Sequence, residues 1–111
     1  MQVYNTTQDL VIAAELLRAE SFSTRLKGLM FQKEMAPGEG LLIRPCQQVH
    51  THFMRFPIDV IFLSEQWQVV EVICDMEPWR FSPLVKEAVM VLEVPAGAAG
   101  TTGPGDVLEL R

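Results

Sequence analysis

From Gly40 to the C-terminus, apolar residues come in short runs separated by turn-forming residues, with little room between runs for crossover helices. Residues 41–43, 49–53, 59–63, 69–74, 88–94 and 107–110 have the apolar and β-branched character of strands. Parallel neighbours need long connections, so strands spaced this closely predict a sheet-rich fold with mostly antiparallel pairing. Ser64-Glu65-Gln66-Trp67 is expected to turn the chain between two of them. Pro78 and Pro83 remove ladder donors from residues 76–83, which makes that segment a loop carrying Trp79 and Phe81. Residues 95–105, rich in Gly and Pro, form a second loop with room for one helical turn around Ala96 to Ala99.

The N-terminal third is less regular. Residues 3–7 read as a short strand and Thr7-Gln8-Asp9 as a turn. Residues 10–19 have helix-forming composition but also the length of a long strand, and propensity alone favours helix. Ser21-Phe22-Ser23-Thr24 offers capping hydroxyls ahead of Arg25-Leu26-Lys27-Gly28-Leu29-Met30-Phe31, which predicts a short helix near residues 23–32.

A chain of 111 residues is about one domain's worth and long enough to fold without disulfides or metal. Hydrophobic content of 49% with 21% charged residues excludes a disordered chain. The net charge of −5 and a pI near 4.9, with basic residues scattered, argue against nucleic-acid binding. No apolar run reaches the roughly 18 residues of a membrane span, and the N-terminus has no signal-peptide pattern, so a cytoplasmic protein is expected. Cys46 and Cys74 are then expected to be reduced thiols.

Chemistry-bearing residues concentrate in His50-Thr51-His52-Phe53-Met54-Arg55-Phe56-Pro57-Ile58-Asp59, between two apolar runs. On an extended strand His50 and His52 would share a face with Met54. Three readings of the pair are open: bridges to neighbouring backbone groups, the lining of a metal-free pocket, or two ligands to one metal with Asp59 or Cys46 as a third. The acid that normally follows such a metal pair by four or five residues is absent here, where Phe56 and Pro57 stand, and neither metal nor cofactor is expected. Asp59, set among apolar residues, needs a partner. It either caps a turn or pairs with Arg25 or Arg55, or it orients a histidine or binds a ligand. Glu93, inside the apolar run 90–95, lies at an exposed edge or is a buried acid held by Arg25 or Arg44. Cys46 lacks a nucleophile motif, though His50 or His52 could serve it as a base. Trp79 and Phe81 either fold back on the core or form a partner-binding surface.

Four segments carry a resemblance. Arg25-Leu26-Lys27-Gly28-Leu29-Met30, Gly38-Glu39-Gly40-Leu41-Leu42, the His50 to Phe62 stretch, and Val91-Leu92-Glu93-Val94-Pro95-Ala96-Gly97 with Gly105-Asp106 resemble, in order and spacing, the domain of unknown function 192 family. The resemblance spans nearly the whole chain. It implies a mainly β fold: a single compact, antiparallel-rich β-sandwich or barrel over residues 1–111 with the one short helix. It also implies that residues 10–19 are strand leading into that helix. No activity comes with it. Many members are similar to Phe-Trp-Met-Lys-Asn-Thr where this chain has Val49-His50-Thr51-His52-Phe53-Met54, so the histidines belong to one branch, while Pro57 and Asp59 match both. Many relatives carry export signals, so localisation does not carry over.

The expectation is a binding domain without established catalysis, taking a small molecule or a protein, with no nucleic acid and no membrane span. Its ligand-binding candidates are His50, His52, Asp59, Arg25 and Glu93, and its partner-binding candidates are Trp79 and Phe81. The alternative is an enzyme working through His50, His52 and Asp59, either metal-assisted or by acid–base chemistry.

Overall fold

The computed structural model describes residues 1–19 and 34–111. The helix expected near residues 23–32, with Arg25 and Gly28, lies outside the described residues. Eight strands are described: β1 Val3–Asn5, β2 Leu10–Ala13, β3 Glu15–Ala19, β4 Glu39–Ile43, β5 Ile58–Leu63, β6 Val69–Met76, β7 Met90–Pro95 and β8 Leu108–Leu110. They form a three-stranded sheet, β2-β1-β8, and a five-stranded sheet, β3-β4-β7-β5-β6. The architecture is mainly β, with no helix among the described residues. Accordingly, no described helix is long and apolar enough to cross a membrane.

The unbroken apolar runs explain the centre of the large sheet. β5 and β7 are buried along essentially their full lengths because both faces of the sheet are covered, which demands apolar residues at successive positions. One face, with Leu41, Ile43, Val60, Phe62 and Val91, packs against Cys46, Val49 and Met54 from the loop after β4. The opposite face, with Leu42, Ile61, Leu92 and Val94, packs against Val3, Ile12 and Leu108 of the small sheet. Where β4 meets β2, a Cβ on Gly40 would lie 2.9 Å from the Cβ of Ala13. Only a bare backbone fits there.

Residues 10–19 are strand despite their helical composition, but two strands rather than one. Ala14 breaks the run, and the amides of Ala14 and Glu15 both donate to the carbonyl of Gly38, at 2.8 and 3.0 Å. The chain thereby leaves the small sheet as β2 and joins the large one as β3. Pairing with sheet edges overrides local propensity here. β3 runs parallel to β4, the exception to an otherwise antiparallel arrangement.

The strand expected at residues 49–53 does not form. His50 makes an isolated antiparallel bridge to Phe81, and Phe53 adopts a left-handed φ of 66°. Side chains in this segment therefore do not alternate as on a strand: Met54 is buried in the core while His50 is exposed.

Candidate functional site

Two loops, residues 45–56 and 77–89, are laced together over the face of the large sheet that carries Val60 and Val91. Backbone bonds run from Val85 N to Gln47 O, Ser82 N to Val49 O, Thr51 N to Arg80 O and Trp79 N to Thr51 O, at 2.9 to 3.0 Å. Thr51, fully buried, is the clamp: its hydroxyl donates to Glu77 O at 2.6 Å and accepts from Arg80 N at 3.0 Å. Ser82 plays the matching part at the other end, its hydroxyl accepting from Val49 N at 2.9 Å. Val49 and Met54 anchor the arrangement, each contributing about 1.5–3 kcal/mol by burial.

This lattice presents rings to the outside. Phe53 is 46% exposed, Trp79 53% and Phe81 71%, so Trp79 and Phe81 are not folded back on the core. The half-buried His52 ring lies among them, its centroid 5.3 Å from Trp79, 4.6 Å from Phe81 and 5.3 Å from His50, with planes steeply inclined. Phe53 extends the cluster through Trp79 at 4.8 Å. The two histidines thus do converge, through a turn rather than strand alternation. His50 Nδ1 accepts from the His52 amide at 3.3 Å, so its neutral ring carries the proton on Nε2.

Three local costs fall within this one cluster. Phe53 and Trp79 both hold left-handed backbone, with φ of 66° and 63°, although neither is Gly, Asn or Asp. His52 Nδ1 is buried with no hydrogen-bond partner among the described residues. Each such feature costs about 1–3 kcal/mol. On the same two loops, between residues 45–48 and Leu84, Ala88 and Val89, lies a shallow cavity of about 400 Å³ that none of the clustered rings lines. Cys46 borders it, buried, its thiol donating to Gln48 O at 3.2 Å. Cys74 is an exposed free thiol.

The other candidates lie apart from this cluster in different ways. Asp59 is buried on the side of β5 opposite Ile58 and Val60, facing the small sheet. Its Oδ1 accepts from Asp75 N at 2.8 Å, and its Oδ2 from Gly97 N at 2.9 Å and Ala99 N at 3.1 Å. Asp59 therefore caps the turn after β7. Glu93 is central in β7, buried, with Leu41 and Val60 as its cross-strand neighbours. Burial pushes its carboxyl up from an ordinary 4.5 to about 7. Arg44, one of its expected partners, pairs instead with Glu65 at 2.7 Å. Thr51 and Phe53 belong to the site without standing out in the sequence; a hydroxyl between two histidines carries no recognisable signal, and a left-handed Phe carries none either. Among the described residues no three His, Cys, Asp or Glu side chains gather as a metal site would require.

Comparison with known proteins places this geometry in a family. The DUF192 profile, "Uncharacterized ACR", matches residues 3–110. An uncharacterised UPF0127 protein of Pyrococcus furiosus is 36% identical, the match covering 95% of this chain and 94% of that protein. A UPF0127 protein of Pyrococcus horikoshii is 33% identical over 92% of this chain and 90% of its own. The crystal structure of a protein of unknown function from Novosphingobium aromaticivorans superposes with a TM-score of 0.82 at 25% identity, covering 98% of this chain and 82% of that one.

Proposed function

We propose that this chain, which belongs to the uncharacterised DUF192 family, is a binding module whose recognition surface is the ring cluster of His50, His52, Trp79 and Phe81. The observation that carries the reading is the concentration of local cost on exposed rings. Left-handed Phe53 and Trp79, with a His52 nitrogen that has no partner among the described residues, bring three such costs into one cluster of rings, where Trp67, left-handed too, stands alone in the turn between β5 and β6; strain that gathers in this way is found at ligand-holding surfaces. Aromatic side chains are also the residues that dominate binding energy at interfaces. Catalysis through His50, His52 and Asp59 would need the carboxylate to reach an imidazole, and both its oxygens are engaged by backbone amides on the far side of β5. A cytoplasmic site of action is part of the same proposal, as is a single domain over residues 1–111.

The test is recovery of bound material from an extract of the source organism by immobilised wild type and by Trp79→Ala and Phe81→Ala. Recovery should be lost in both variants while their unfolding midpoints stay close to wild type. Unchanged recovery, or variants that unfold much more readily, would show the rings to be structural.

A further inference from the structure

Glu93 stands beneath the ring surface. Strand alternation puts its side chain on the same face of the large sheet as Val91, between Leu41 of β4 and Val60 of β5. It is 4% exposed there, and among the described residues it has neither an ion pair nor a hydrogen bond. Cys46, Val49, Met54 and Phe56 of the first laced loop and Val85 and Ala88 of the second pack over that face, joined by Met35 from ahead of β4. The carboxyl thus lies under the two loops that carry the rings, and their inner side brings it apolar groups and one thiol.

The charged groups of the surrounding elements are engaged or turned outward. Glu39, which shares the face on β4, accepts from Ala36 N at 2.6 Å, and Glu71 on β6 is exposed. Asp59 of β5 is held by amides on the opposite side. On the loops, Arg80 and Glu77 pair with each other at 3.7 Å, Arg55, Lys86, Glu87 and His50 are exposed, and His52 is half-buried among the rings.

An ionised carboxylate in this position needs water or a cation, so one of the two layers has to give way to admit it. The sheet is the stiffer layer. β7 is paired along both edges, by β4 and β5, and displacing Glu93 with its strand would break two ladders. The loops are held by a handful of cross-links, and opening them also releases the left-handed Phe53 and Trp79 and the orphaned His52 nitrogen. We infer that ionisation of Glu93 lifts the two loops from the sheet, so that the ring surface is whole while the carboxyl holds its proton and comes apart when the proton is lost. Burial holds the carboxyl at about 7 against an ordinary 4.5, which places the change near neutral pH. The inference rests on the reading of the rings as a binding surface, and gives that surface an affinity that falls as pH rises.

The test is amide hydrogen exchange at Thr51, Trp79, Ser82 and Val85, whose N–H groups lace the loops together. Wild type and Glu93→Gln are compared near pH 5.5 and 8, with and without about 1 M urea, after correction for intrinsic exchange rates. In wild type the opening equilibrium should rise roughly thirtyfold between the two pH values, as a carboxyl that reverts from about 7 to 4.5 on opening dictates. Urea should have little effect, because only the loops come away. In Glu93→Gln the rise should be absent. Glu93→Met, with neither charge nor hydrogen-bonding need, is the second variant should Glu93→Gln fail to fold, and should lack the rise as well. A rise of the same size in the variants would trace it to the imidazoles, and a urea response as steep as that of the β5 and β7 amides would trace it to the whole fold. Either result overturns the inference, as does the absence of a rise in wild type. Exchange is read without a partner, so its outcome is separate from recovery on the immobilised protein, which tests the binding reading itself.

Discussion

Loop 97–106, rich in glycine, and the laced loops at 45–56 and 77–89, which have no glycine and carry the exposed rings, treat their polar groups in opposite ways. In the first, every polar side chain turned inward has a use. Asp59 takes three amides, and Asn5 Nδ2 donates to Thr102 Oγ1 and Asp106 Oδ2, both at 3.0 Å. The Asn5 hydrogen bond, with those of the Gly103 amide and Gln8 and against the opposing effect of burial, holds the Asp106 carboxyl below the usual carboxylate range. In the second, a ring nitrogen is buried without a partner among the described residues, and aromatic side chains face solvent on strained backbone. Satisfied polar groups hold a fold together, and unsatisfied ones with exposed rings await something else.

Removing the acid from the satisfied loop should have the largest effect. Asp59→Ala leaves three amides without their acceptor and is expected to cost about 3 kcal/mol or more in urea unfolding. A loss below about 1 kcal/mol would mean that the turn does not depend on this cap and would weaken the contrast.

Glu93 sharpens it from another side, as a buried acid with no ionic or hydrogen-bonding partner among the described residues. Its folded pKa of about 7 exceeds the ordinary 4.5, so the folded protein binds the extra proton between those values. Stability from this group is complete below about pH 4.5 and declines as pH rises through 7, by up to about 3 kcal/mol. Glu93→Gln should therefore be more stable than wild type at pH 8, with the gap closing near pH 5. A gap independent of pH would mean that the carboxylate is paired.

A smaller loss is expected at the junction of the sheets. Gly40→Ala sets a methyl 2.9 Å from Ala13 and should cost about 1–3 kcal/mol, read from the unfolding midpoint without a change in slope. This cost belongs to the core and should leave recovery by the ring surface untouched.

How far the sequence reveals this molecule differs between the same two regions. β5 and β7 are legible because burial on both faces leaves an unbroken apolar run, and the turn-capping role is among the roles open to Asp59. Residues 10–19 need the family resemblance, since their composition points to helix and only pairing with Asn5 and Gly40 makes them strand. Residues 49–53 mislead: Val49, Thr51 and Phe53 have β character, but the Thr51 hydroxyl finds Glu77 and Arg80 across the loop, and those distant contacts decide the backbone. The histidines and both loop aromatics can be named from sequence. That they form one surface cannot, because the lacing that joins them consists of bonds between residues about thirty apart in the chain.

Trp79→Gly bears most directly on the claim that the ring cluster exists to bind. Glycine accepts the left-handed φ of 63° freely, and the amide bond to Thr51 O is retained. If the ring is there for a partner, urea unfolding should show a variant as stable as wild type or up to about 1 kcal/mol more stable, although partner recovery is lost. A loss of about 2 kcal/mol or more would contradict that claim, because it would mean that Trp79 holds the fold together.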